Sequence, residues 1–201
     1  MNTKELKKSY TTKQSDIESR LEDFKRVKEE DYKKEFTFCL LTPQSNAQRC
    51  WEAVEQIFGL CCFTEEDIKR ILKSKTRFHN NKTRYVLEGK DAWNNIKQRL
   101  TDNNTKELRN WLADNVKGYG LKEASHFLRN IGKSNNKIAI LDRHILRNLV
   151  AFKVIEETKI KNKKDYLEKE QKYLDFANKL GIQADALDLF FWSQENGEIF
   201  K

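Results

Sequence analysis

One proline, Pro43, stands in 201 residues, and only seven glycines accompany it. Few positions can therefore stop a helix, and the stretches between them are rich in Lys, Glu, Leu and Ile, which all tolerate one. Apolar residues recur at every third or fourth place. Ile17, Leu21, Phe24 and Val27 share one face of a segment from Ser15 to Asp31, where Ser15 and Glu18 have the spacing of a capping box. A dense apolar run, Phe36 to Leu41, stops before Pro43, which disfavours helix at Thr42. Trp51, Val54, Ile57 and Phe58 predict a helix from Ala47 to Phe58, closed by Gly59. Thr64 and Asp67 predict a cap ahead of Ile68, Ile71 and Leu72, and residues 85–100 read as one or two helices around Gly89. Further helices are predicted over 105–116 and 121–131, after Asp142 as a cap, and over 184–196. The Lys-rich stretch from Lys159 to Lys172 keeps helical spacing and reads as a helix with a solvated face, ended by Gly181. The sum is an all-α protein of roughly ten helices, with no strong strand signal.

The formal charge is +8 and the pI about 9.2. A basic surface attracts polyanions, although Lys-rich composition alone often has no functional meaning. Twelve Phe, six Tyr and four Trp give a core large rings to bury. Cys39, Cys50, Cys61 and Cys62 form no C-x-x-C pair and no zinc-like spacing with His, so all four are expected as buried, reduced thiols. No signal peptide and no apolar run of membrane-spanning length is evident, which predicts a soluble protein inside the cell, in cytoplasm or nucleoid.

Chemistry concentrates between Leu112 and Val150. Lys117-Gly118-Tyr119-Gly120 is a tight turn between two helices, and the second helix starts at once. Backbone N–H groups at that helix N-terminus suit a phosphate, and Lys117 adds a charge. An ordinary helix–helix turn would have the same G-x-G pattern. Lys122 lies in the first turn, where the helix dipole disfavours a cation, and shares a polar face with His126 and Arg129. Asp142, twenty residues on, sits between Ala139-Ile140-Leu141 and Arg143-His144-Ile145-Leu146. It reads as an N-cap, or as a carboxylate that orients an amine, accepts a proton or stabilises a cation. Gln44 and Asn46 follow the apolar run and are equally readable as turn and cap residues.

Val116-Lys117-Gly118-Tyr119-Gly120-Leu121-Lys122-Glu123-Ala124, followed by Ile140-Leu141-Asp142-Arg143-His144, resembles the helix-hairpin-helix DNA glycosylase superfamily. More narrowly, the segment from Gly118 to Gly132 resembles the second type of 8-oxoguanine DNA glycosylase/AP lyase, found in archaea and some bacteria. Lys117 and Tyr119 depart from the Pro or apolar residue that many members carry. The resemblance implies a two-lobed helical fold with the active site in the cleft between lobes. It puts residues 1–35 and 151–201 in a lobe with a base-recognition tail, and 36–150 in a lobe with the hairpin motif (105–132) and the catalytic Lys and Asp.

The resemblance further implies a bifunctional enzyme that flips a damaged purine out of double-stranded DNA. Lys122 is then the nucleophile that forms a Schiff base with the sugar, Asp142 assists it, and β-elimination nicks the strand. Lys117, Gly118, Tyr119 and Gly120 hold the DNA backbone, and Gln44 or Asn46 fills the gap left by the base. Trp192 stacks on the flipped base, Lys201 contacts it, and Asp188 is a candidate for its other edge. His79, Arg77, Arg84 and Arg143 are candidate phosphate contacts. No cofactor is required, no iron–sulfur cluster is expected, and the hairpin leaves room for a monovalent cation. The protein is expected to act as a monomer. Two other readings stay open: a glycosylase of the same superfamily for another oxidised or alkylated base, and a DNA-binding module without catalysis.

Overall fold

A computed structural model describes residues 2–201, the side chain of Asn196 excepted. It is all-helical, and among the described residues there is no strand. The helices are α1 (Thr3–Thr11), α2 (Gln14–Lys25), α3 (Tyr32–Leu41), α4 (Ala47–Phe58), α5 (Glu65–Lys75) and α6 (His79–Arg99). They continue with α7 (Thr105–Asn115), α8 (Leu121–Asn130), α9 (Arg143–Ala151), α10 (Lys163–Leu180) and α11 (Ala184–Asn196). No helix is long and apolar enough to cross a membrane. The chain forms two compact units, Lys28–Phe127 and the chain up to Val27 with Leu128–Lys201. These divisions fall at 27/28 and 127/128, where the sequence reading placed them at 35/36 and 150/151.

In the unit Lys28–Phe127, local signals set the helix ends. Asn46 caps α4 by accepting from Arg49 N, and Gly59 ends it. Thr64 and Asp67 form the predicted capping box of α5. Residues 79–99 are one continuous helix with Gly89 inside it. That glycine is explained by packing: a Cβ there would lie 2.5 Å from Phe36 Cε1. Gly89 thus lets α6 approach α3, and an alanine would overpack the contact at a cost of about 1–3 kcal/mol. Phe36 is the hub of the core, with ring centroids 5.5 Å from Trp93, 5.1 Å from Tyr119 and 5.7 Å from Phe127. Cys39 and Cys50 are buried as expected. Cys61 and Cys62 are exposed, which corrects the expectation for them. They follow the end of α4 in a short turn segment that offers no helix face to bury them.

In the other unit, α1 and α2 pack with α9, α10 and α11 around Leu6, Ile17, Phe24, Leu149, Tyr173, Leu187, Phe190 and Phe191. The expected box at Ser15 and Glu18 does not form: α2 starts at Gln14, behind an N-cap Lys13 that makes no side-chain bond. Glu18 instead accepts from Gln14 Nε2 at 2.8 Å. The helix also ends at Lys25, ahead of a short 3₁₀ turn at Glu29–Asp31, rather than at Asp31. Only part of α10 matches the solvated face that its lysines suggest. Tyr166, Lys169, Glu170 and Tyr173 are buried. Tyr166 Oη donates to Ala139 O at 2.7 Å and accepts from Leu141 N at 3.3 Å, and Glu170 Oε1 accepts from Ala139 N at 2.8 Å. These bonds satisfy the backbone of a non-helical buried segment and fix the approach to Asp142.

Candidate active site

The hairpin between α7 and α8 is built from the core outward. Tyr119 is buried, and its hydroxyl donates to Phe36 O at 2.9 Å. Burial pushes that phenol well above its ordinary pKa. Tyr119 is therefore an anchor of the turn, with only its backbone left outward. Gly118 has φ 90, and a Cβ there would lie 2.6 Å from Tyr85 Cδ2, so conformation and space both require glycine. Arg109, buried in α7, donates to Ser125 Oγ of α8 at 3.3 Å and ties the two helices together. Lys117 is exposed beside the turn.

The N-terminus of α8 is less open than the sequence suggests. Gly120 N–H donates to Glu123 Oε2 at 3.1 Å. The other oxygen of Glu123 pairs with Lys122 Nζ at 2.8 Å, and the Lys122 side chain is only 28% exposed. Glu123 is thus a carboxylate partner of Lys122 that sequence reasoning passed over. Its signal was available: an acid three residues after Gly120 has the spacing that reaches back to a helix-start N–H. The expected polar face of Lys122, His126 and Arg129 is not a solvated stripe, since Arg129 is buried.

Asp142 caps α9. Its Oδ1 accepts from His144 N and Ile145 N, each at 2.8 Å. Oδ2 has no hydrogen bond among the described residues, and Ile140, Leu141, Ile145 and Leu146 around it are buried. One oxygen thus holds the carboxylate in place as the helix cap. His144 Nδ1 pairs with Glu195 of α11.

Asp188 is buried in α11 with Arg129, whose Nη1 lies 3.5 Å from Asp188 Oδ2. The contact lacks hydrogen-bond alignment: Arg129 Nε and Nη1 have no hydrogen-bond partner among the described residues. The guanidinium also stacks over Phe24, 4.8 Å from the ring centroid. Burial raises the Asp188 pKa to about 7; Arg129 opposes the rise, and Asp142 and Asp185 add to it. Trp192 is half-buried with its ring against Phe200, centroids 6.3 Å apart. Arg20 Nε donates to Phe200 O at 2.6 Å, and Lys201 is buried. The last residues are thereby pinned onto α2 and α11.

In the unit Lys28–Phe127, Asn46 serves as the cap of α4, while Gln44 is exposed with φ 54. Phe78, just before α6, has φ 57 and is 54% exposed. Sequence reasoning missed this ring. A non-glycine residue at positive φ is strained, and an exposed ring on such a turn is a stacking surface. Nothing in the residue order signals a left-handed Phe. Among the described residues no cluster of three or more His, Cys, Asp or Glu side chains could hold a metal ion.

Comparison with known proteins places this geometry. The family described as 8-oxoguanine DNA glycosylase matches residues 17–182. A Fusobacterium nucleatum protein named 8-oxoguanine DNA glycosylase/AP lyase is 39% identical over 98% of this chain and 96% of its own length. The crystal structure of the Methanocaldococcus jannaschii 8-oxoguanine DNA glycosylase superposes with a TM-score of 0.88, at 31% identity, over 99% of this chain and 95% of that one. The Methanocaldococcus jannaschii glycosylase/lyase in complex with a 15mer DNA containing 8-oxoguanine gives a TM-score of 0.87, at 31% identity, over 98% and 99% of the two chains. The chain belongs to the 8-oxoguanine DNA glycosylase family.

Proposed function

We propose that this protein is a bifunctional 8-oxoguanine DNA glycosylase/AP lyase acting on duplex DNA in base-excision repair, with Lys122 as its nucleophile. The observation that carries the assignment is the half-buried Lys122 amine, held by Glu123 at the start of the hairpin's second helix. A carboxylate partner keeps a nucleophilic amine oriented and can take its proton. The names shared by the relatives, and the DNA in the neighbouring complex, support the same reading.

The reaction proceeds as follows. The lesion leaves the base stack, at a cost of a few kcal/mol. The neutral Lys122 amine attacks C1′, the bond from C1′ to the base nitrogen breaks, and the base departs with the electron pair and a proton. Asp142 stabilises the cationic character at the sugar or accepts the amine proton through Oδ2. Ring opening gives a Schiff base, which acidifies the C2′ proton. Its removal expels the 3′ phosphate by cleavage of the C3′–O bond. The steps need side chains only, and the hairpin is where a monovalent cation would bind.

Backbone at 117–120 grips the strand, and Gln44 fills the vacated place. Trp192 and Phe78 offer rings, and stacking on either is worth about 1–3 kcal/mol for any base. Choice of lesion must therefore come from polar groups, for which Asp188 and Lys201 are the candidates. The enzyme works as a single copy on chromosomal DNA inside the cell.

Borohydride trapping on a duplex with one 8-oxoguanine tests the assignment. Wild type should give a covalent adduct, Lys122→Gln none, and Asp142→Asn a much reduced amount. An adduct undiminished in Lys122→Gln removes the proposed nucleophile. Excision of thymine glycol with none of 8-oxoguanine moves the enzyme to another lesion, and DNA binding without any adduct leaves a non-catalytic module.

A further inference from the structure

The turn that carries Gln44 is held by an unusual group. Lys82, in the second turn of α6, is only 3% exposed. Its ammonium donates to Leu41 O at 2.6 Å, Pro43 O at 2.9 Å and Ser45 Oγ at 2.8 Å. Ser45 Oγ also accepts Arg77 N–H at 3.0 Å. One lysine and one serine thus connect the turn at 42–46 with the turn at 76–78. These two turns present Gln44 and Phe78, whose φ angles of 54 and 57 are both strained.

A buried ammonium is costly, and this one faces no acid among its closest charged neighbours. Cys50 of α4, Lys122 of α8 and Arg77 at the entrance to α6 are the titratable or charged groups around it. Burial first, with Lys122 and Arg77 adding to it, lowers its pKa to about 8. An apolar side chain would fill the space more cheaply, but it would leave Leu41 O and Pro43 O only their weaker contacts, from Cys50 Sγ at 3.2 Å and Ser45 Oγ at 3.5 Å. Two of the three oxygen contacts, Pro43 O and Ser45 Oγ, fall on the turn that carries Gln44, and the third, Leu41 O, is at the end of α3 just before it. In that turn Gln44 and Asn46 are exposed and Thr42, Pro43 and Ser45 half-buried, and its own backbone contributes a bond from Ser45 N–H to Thr42 O at 3.0 Å.

We infer that Lys82 is a positioning residue, whose buried ammonium locks the Gln44 and Phe78 turns in the shape that engages a duplex opened at one base. The inference rests on the DNA-binding part of the reading above. A preset turn spares DNA the entropy of ordering two loops. Lys82 itself touches no strand.

Fluorescence anisotropy with a duplex carrying one tetrahydrofuran abasic site tests this, with the same sequence as a single strand for comparison. Lys82→Met should weaken duplex binding by roughly tenfold and leave single-strand binding within about twofold. The slope of log Kd against log salt should stay as in wild type, because a buried ammonium releases no counterion. Lys82→Arg, which keeps charge and donors, should recover most of the loss. Ser45→Ala removes one acceptor without emptying the core and should show the same selectivity at a smaller size. Equal losses on both DNAs, a salt slope lower by about one, no loss at all, or an Arg variant no better than Met each overturn the inference. A wild type that binds the duplex yet excises no 8-oxoguanine removes the catalytic reading and leaves this binding test intact.

Discussion

Each unit buries charge, and the two do so in opposite ways. In the unit Lys28–Phe127, Lys82 has an oxygen for each of its three protons. In the other unit, Asp188 has no hydrogen bond among the described residues, and its one cation, Arg129, approaches out of alignment. A charge that the protein satisfies by itself fixes its own chain. A buried charge left short of partners is costly unless something else supplies them, and such sites are where a guest is read. We therefore assign grip and attack to the unit with Lys122, Gln44 and the hairpin, and recognition of the base to the unit with Asp188, Trp192 and Lys201.

The largest expected effect breaks or confirms the first half of that division. Lys122→Gln should slow formation of the trapped adduct by ~10^4-fold or more, both with 8-oxoguanine and with a preformed abasic site, because a lost nucleophile is not replaced. Asp142→Asn should cost ~10^2-fold to 10^4-fold in single-turnover excision, the range for a positioned acid or base. Asparagine still caps a helix, so its melting temperature should stay near wild type. A variant that melts early would mean that Asp142 acts through the fold.

The second half is sharpened by Asp188→Asn and Lys201→Ala. Each should lower the preference for 8-oxoguanine over guanine by roughly 10-fold to 100-fold, the scale of one buried hydrogen bond. Reaction at a preformed abasic site, which has no base to read, should remain. Equal loss on both substrates would place these residues in the chemistry instead. A smaller effect concerns pH. The Asp188 pKa is raised to about 7 by burial, so the folded state holds a proton there that the unfolded chain releases near pH 4. Its contribution to stability is present at low pH and is lost as pH rises through about 7. Thermal melts of Asp188→Asn against wild type should thus favour the variant more at pH 8 than at pH 5. The smallest effect is at Cys61 and Cys62: serine at both should change neither melting nor excision.

Much of this was legible in residue order, and what was not has physical causes. Helix α4 could be read to the residue because its cap, apolar face and terminal glycine are all local. Lys122, Asp142 and the Gly118 turn stood out because hairpin chemistry is local too. Helix α1 was overlooked: with Leu6 its only buried residue, it has little periodicity, although Asn2 and Glu5 form a capping box. Lys82 and Phe78 were not legible. A lysine among lysines gives no sign that it is buried, and the turn that carries the left-handed Phe is tied through Arg77 N–H to Ser45, 32 positions away. The placement of Asp188 likewise depends on Arg129, fifty-nine positions earlier.

Helix α10 shows where this protein will tolerate redesign. Its outward lysines, such as Lys163, Lys164 and Lys172, are exposed and form no part of the core. A solubility engineer or a drifting lineage could exchange them at little cost. Tyr166 and Glu170, on the same helix, hold the non-helical lead-in to the cap carboxylate. Substitutions two residues apart on one helix, at Lys164 and Tyr166 or at Glu170 and Lys172, should therefore have very different fates, and a deep mutational scan would print that contrast as a stripe along α10.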